Sequence, residues 1–175
     1  MDHPGSFCIT SDSYEDTIDI AAKFACIMKP GDIVCLDGDL GAGKTAFTSG
    51  LASALGMPGK VSSPTFTILH EYIPDNESDE PIRRINHFDV YRLNSSDEFV
   101  ELGFEEVIDQ DNAVSVIEWA DRISDILNDY WYRCIFVRIV RNADKIEGKD
   151  DPIRSIIIRL PDDDPRIDLL GALIK

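Results

Sequence analysis

The chain has 175 residues, which suits one domain spanning 1–175 with a full core and leaves little room for a second. Apolar residues at 43% and charged residues at 29% exclude a disordered composition, and no run nears the roughly 18 apolar residues of a membrane span. A net charge of −16 argues against a direct grip on nucleic acid, whose affinity comes largely from Lys and Arg neutralising phosphates.

In chain order, the opening Met1-Asp2-His3-Pro4-Gly5-Ser6 carries neither a basic secretory n-region nor an Arg-rich transit pattern. It predicts a cytoplasmic protein with no membrane partner. Residues 13–29 read as an amphipathic helix, capped by Ser13, with Ile20, Phe24, Ile27 and Met28 at helical spacing and Pro30-Gly31 as the stop. Ile33-Val34-Cys35-Leu36 is a continuous apolar run, as expected of a parallel strand buried on both faces. After the glycine-rich segment 38–45, residues 46–55 read as a helix stopped by Gly56 and Pro58.

Residues 61–72, rich in β-branched and aromatic side chains, predict a turn and a strand, followed by an exposed acidic loop over 74–81. Strands are expected at 82–88, ending in Asp89, and at 113–117, ending in Glu118-Trp119. One helix over 96–107, capped by Ser95 or Ser96, lies between them, and a second follows over 121–127. Residues 133–141 and 154–160 alternate polar and apolar, predicting an antiparallel pair around the turn 142–151; residues 161–165 break the chain before a short helix over 167–174. Cys8, Cys26, Cys35 and Cys134 form no C-x-x-C pair and read as small core hydrophobes; His3, His70 and His87 are scattered, so no Cys/His metal centre is expected.

Gly38-Asp39-Leu40-Gly41-Ala42-Gly43-Lys44-Thr45 fits G-x-x-x-x-G-K-[ST] at every fixed position. Glycines allow the positive φ angles that turn successive backbone N–H groups toward one anion, and the following helix adds its positive end. ATP with Mg²⁺ is the predicted ligand. The backbone of Gly41, Ala42, Gly43, Lys44, Thr45 and Ala46 would cradle phosphate, Lys44 would reach the β- and γ-phosphates, and the Thr45 hydroxyl would ligate Mg²⁺. Such a loop needs an acid at the end of a neighbouring strand, and Asp89 and Glu118 compete for that place. Ser62-Ser63-Pro64-Thr65-Phe66 reads from spacing alone as a Ser-Pro turn, with hydroxyls able to serve a switch loop.

Gly-Asp-Leu-Gly-Ala-Gly-Lys-Thr at 38–45, Ser-Pro-Thr-Phe at 63–66, His-Phe-Asp-Val-Tyr-Arg at 87–92 and Glu-Trp at 118–119 occur in that order. Together they resemble the TsaE (YjeE) family, the ATPases of bacterial tRNA threonylcarbamoyladenosine (t6A) synthesis, over about 13–160. The resemblance implies an α/β P-loop NTPase fold, a mixed sheet with parallel core strands and flanking helices. It implies partners like TsaD and TsaB, with tRNA met only through that complex. It also implies Thr45 and Glu118 on the magnesium side, Asp89 beside the same ion or the attacking water, Tyr14 and Thr17 near the adenosine, and Trp119 at a nucleotide-sensitive surface. Lys44, Asp89 and Glu118 are thus the candidate catalytic set.

Three rival readings compete. A metabolite kinase would need a lid bearing arginines, and the segments leave little room for one. A GTPase would carry Asn-Lys-x-Asp, whereas Asn142-Ala143-Asp144-Lys145 has those letters in the wrong order. A non-catalytic nucleotide-dependent interaction protein is the third.

Overall fold

Alternation along short apolar strands explains how one sheet serves two cores. The computed structural model describes residues 5–74, 80–142 and 152–174. In the strand Ile33–Asp37, Val34 and Leu36 join a core formed with the helices Tyr14–Ala25 and Lys44–Ala54, while Ile33 and Cys35 face a second core with Phe99, Ile108, Ile123 and Leu127. Both faces are covered, which is why this strand reads as unbroken apolar sequence.

The strands are β1 (Ser6–Ser11), β2 (Ile33–Asp37), β3 (Leu69–Tyr72), β4 (Arg84–Asp89), β5 (Ala113–Glu118), β6 (Cys134–Arg141) and β7 (Arg154–Arg159). They form one sheet in the order β1-β7-β6-β2-β5-β4-β3. The four central strands β6, β2, β5 and β4 run parallel, and β7, β1 and β3 add antiparallel edges. The helices are α1 (Tyr14–Ala25), α2 (Lys44–Ala54), α3 (Ser96–Glu101), α4 (Phe104–Ile108), α5 (Ser124–Leu127) and α6 (Ile167–Leu173). The mixed sheet with a parallel core agrees with the fold expected from sequence.

Several expectations are corrected. β1 was not anticipated, although Phe7 and Ile9 alternate with exposed Ser6, Cys8 and Thr10; it completes the edge beside β7, with Ser6 opposite Arg159 and Ser11 opposite Arg154. The helix expected over 96–107 is broken into α3 and α4 because Gly103 takes a left-handed φ of 73°. Ser95 occupies its N-cap position. α1 does have its N-cap at Ser13, whose side chain accepts from the Asp16 N–H, but it ends at Ala25, ahead of Pro30. Residues 61–72 do hold a turn followed by a strand, which spans Leu69–Tyr72. Residues 120–133 are mostly 3₁₀ turns flanking α5. Cys35 and Cys134 are buried, whereas Cys8 and Cys26 are exposed and not core thiols. The acidic loop and the 142–151 turn lie largely outside the described residues. Among the described residues, no helix is long and apolar enough to cross a membrane.

Gly50 sets the distance between α1 and α2. A Cβ there would stand 2.3 Å from the Ile18 carbonyl oxygen and 2.7 Å from the Ala21 Cβ. The absent side chain lets the helix that begins at Lys44 lie directly against α1, with the Phe24 and Phe47 rings 5.7 Å apart between them.

Candidate functional site

The site forms where β2, β5 and β4 end at the carboxyl edge of the parallel strands, the usual place for ligands in such sheets. β2 runs directly into residues 38–45. Gly38, Gly41 and Gly43 have φ of 147°, 75° and 120°. At Gly38 a side chain is also excluded by space, since a Cβ would lie 2.4 Å from the Ile139 carbonyl oxygen. These glycines create the concave loop at the start of α2, as the motif predicts.

Lys44 is nearly buried, at 5% exposure. Its Nζ donates to the carbonyls of Gly38 at 2.7 Å and Asp39 at 3.1 Å, and sits 3.9 Å over the Trp119 ring. Burial pushes its pKa down, opposed by the charges of Glu118, Asp89, Asp37 and Asp39. Trp119 itself adopts a left-handed φ of 63°, and its N–H bonds the Leu36 carbonyl, turning the chain sharply beyond β5.

Parallel pairing sets Asp89 opposite Glu118, so the two candidate acids stand side by side. Both are 3% exposed. Glu118 Oε1 accepts from Thr45 Oγ1 at 3.1 Å and from His87 Nε2 at 2.9 Å. Asp89 Oδ2 accepts from Ser63 Oγ at 2.7 Å and Thr65 Oγ1 at 2.6 Å, while its Oδ1 accepts the Tyr91 N–H at 3.2 Å. The Ser-Pro turn thus brings its hydroxyls to the acid pair. Phe66 projects outward, 85% exposed, with the Arg92 guanidinium 4.4 Å from its ring centroid.

A cleft of about 500 Å³ joins these groups. Of the residues expected to bind nucleotide, Tyr14, Gly41, Gly43, Lys44, Thr45 and Ala46 line it, together with Asp89, Glu118 and Trp119. Thr17 does not: it is fully buried, with its hydroxyl bonded to Ser11 Oγ at 2.7 Å and the Ser13 carbonyl at 3.1 Å. It supports the base of α1 behind the loop. Ala42 does not line the cleft either: it is buried, and its N–H donates to the Asp39 carbonyl at 3.0 Å inside the loop.

Two residues were missed. His87 was set aside as one of three scattered histidines, yet it is fully buried against Glu118. Period-two spacing from Asp89 on β4 places it on the same sheet face and is a signal that could have found it. Arg154, at the start of β7, lines the cleft from the antiparallel edge; no local motif announces it.

The donors fit a magnesium nucleotide. Among the described residues no group of three or more His, Cys, Asp or Glu side chains could hold a metal ion alone. Thr45, Glu118 and Asp89 offer a partial oxygen set, suited to Mg²⁺ that completes its shell with phosphate oxygens and water.

The model of the family described as "Threonylcarbamoyl adenosine biosynthesis protein TsaE" matches residues 11–148. The chain is 43% identical to the tRNA threonylcarbamoyladenosine biosynthesis protein TsaE of Bacillus subtilis over 113 residues, 65% of this chain and 66% of that one. It is 40% identical to the protein of the same name from Rickettsia conorii, covering 67% of this chain and 63% of the relative. The chain therefore spans slightly under two thirds of these two relatives. The crystal structure of YdiB from Bacillus subtilis superimposes with a TM-score of 0.69 at 30% identity, covering 97% of this chain and 93% of that one.

Proposed function

The chain belongs to the TsaE family, and from that premise we propose that it is an ATP-binding and ATP-hydrolysing component of tRNA t6A synthesis. The observation that carries the reading is the meeting of Thr45, Glu118 and Asp89 beside the glycine-formed loop. In this reading the backbone N–H groups of Gly41 and of residues 43–46, at the start of α2, hold the phosphates, while the Ala42 N–H stays on the Asp39 carbonyl. Lys44 exchanges the carbonyls of Gly38 and Asp39 for phosphate oxygens. Thr45 and Glu118 would hold Mg²⁺ on the protein side, and when bound the ion would neutralise charge at the transferring phosphoryl group. His87 orients Glu118 by donating to Oε1. Asp89 orients water, or the metal's shell, and ties that position to Ser63 and Thr65. Tyr14 borders the adenosine end, and Trp119 reports the state of Lys44 through their stacking.

The protein acts in the cytoplasm as one domain and depends on partners like TsaD and TsaB for useful turnover. A chain of net charge −16 is poorly suited to holding tRNA itself, so RNA is met through the complex. The test measures ATP hydrolysis by the full chain alone, with tRNA, with the partner pair, and with both. Slow turnover alone and stimulation by the partner pair are expected. Full speed without partners, or stimulation by tRNA alone, would overturn the reading.

A further inference from the structure

Arg154 lies beyond the residues matched by the family model, on a strand two places from β2, yet its side chain reaches the phosphate loop. It is 6% exposed. Its Nε donates to the Ala42 carbonyl at 3.0 Å, across 112 residues of sequence, and its Nη1 donates to the Pro152 carbonyl at 3.1 Å. Gly43 packs tightly beside it, with a Cβ there lying 3.4 Å from Arg154 Nε.

The Ala42–Gly43 peptide is trans, so its C=O and its N–H lie in one rigid plane and point in opposite directions. A donor that captures the Ala42 carbonyl therefore also fixes the direction of the Gly43 N–H. Gly43 borders the cleft and has φ of 120°, a conformation open to glycine and hence to a peptide that can otherwise rotate. A guanidinium suits this task because its planar fork bonds the carbonyls of Ala42 and Pro152 together, which a single ammonium on a flexible stem does poorly.

We propose that Arg154 is a positioning residue for the phosphate loop. It holds the Ala42 carbonyl toward β7, aiming the Gly43 amide into the cleft for a nucleotide phosphate. The inference rests on the nucleotide reading above. It adds that the antiparallel arm, and not only β2 and α2, determines how well the loop is preorganised.

The test uses the ¹⁵N-labelled full chain as wild type, R154K and R154M. Thermal melting checks the fold, the Gly43 amide resonance and its exchange are followed without nucleotide, and ADP and ATP binding are measured by calorimetry. Both variants are expected to shift the Gly43 resonance, speed its exchange and weaken both nucleotides about tenfold or more. R154K, which keeps the charge, is expected not to restore binding. Wild-type affinity in R154K would show that charge alone suffices, and an unmoved Gly43 amide despite lost affinity would show a direct ligand contact; either result overturns the proposal. If R154M does not fold, R154K carries the same test. Wild-type protein that binds neither ATP nor ADP would defeat the nucleotide reading, whereas the amide measurement in nucleotide-free protein tests the clamp by itself.

Discussion

Glu118→Gln separates the metal-side role proposed for this side chain from its structural one. Both of its donors, Thr45 Oγ1 and His87 Nε2, converge on the single oxygen Oε1. A glutamine of nearly the same volume can place its carbonyl oxygen there and keep both bonds. The change in folding stability should therefore stay within about 1 kcal/mol. What is lost is the negative charge, and an NH₂ group replaces Oε2 on the side available to a cation. Two unit charges about 4 Å apart attract by about 4 kcal/mol at an effective dielectric near 20, more for a divalent ion, before desolvation is subtracted. A residual of about 2.7 kcal/mol in the transition state corresponds to about a hundredfold in rate. ATP binding without Mg²⁺ should change less than about threefold, because the loop N–H groups and Lys44 carry it. Calorimetry with and without Mg²⁺, thermal melting, and phosphate release in the presence of the partner proteins measure the three quantities. A folded variant that hydrolyses ATP within about threefold of wild type would refute the assignment and pass the metal-side role to Asp89.

Lys44→Ala should leave the fold intact and weaken ATP binding by about a hundredfold, read by calorimetry, with a change in tryptophan emission because the ammonium leaves the Trp119 ring. Gly50→Ala forces α2 about 1 Å from the Ile18 carbonyl; overpacking of about 2–3 kcal/mol less about 1 kcal/mol of helix propensity predicts a net loss of about 1.5 kcal/mol. Urea unfolding with an unchanged midpoint would contradict that. The double change Ser63→Ala with Thr65→Ala removes both donors from Asp89 Oδ2 and should lower partner-stimulated hydrolysis about tenfold while ATP affinity is maintained. Parallel hydrolysis and binding assays decide it.

The parts legible in the sequence are those whose physics is local. A buried strand, three glycines and a helix start share one short segment, and chain order carries the strand-end acids. The parts that escaped depend on register or on distant contacts. His87 joins the site only because β4 and β5 pair with Asp89 opposite Glu118, and Arg154 only because β7 folds back beside β6. Gly103 was legible as a breaker in principle, but the apolar spacing of Phe99, Phe104, Val107 and Ile108 continues past it and favours one helix, since both halves pack on the same core. Thr17 has the reverse history. Its place near the adenosine came from family resemblance, while its hydroxyl is spent on Ser11 and Ser13 inside the base of α1.

The strand-end pattern leaves Asp89 and Glu118 competing, the family resemblance implies Glu118 on the magnesium side, and the two acids differ in their hydrogen-bond donors. Glu118 is held by Thr45 at the start of α2 and by His87 on the adjacent strand, both parts of the packed sheet-and-helix frame. Asp89 is held by Ser63 and Thr65, in the connection between α2 and β3, next to the exposed Phe66. In the proposed mechanism this divides the work. A partner that presses on Phe66 would fix the Ser63 and Thr65 hydroxyls on Asp89 without disturbing the Thr45–Glu118 contact. Stimulation would then act on the water-orienting acid and leave magnesium and phosphate binding in place, so partners should raise the hydrolysis rate far more than ATP affinity. Partner addition that tightened ATP binding as much as it accelerated turnover would place the coupling at the phosphate loop and remove Asp89 from that role.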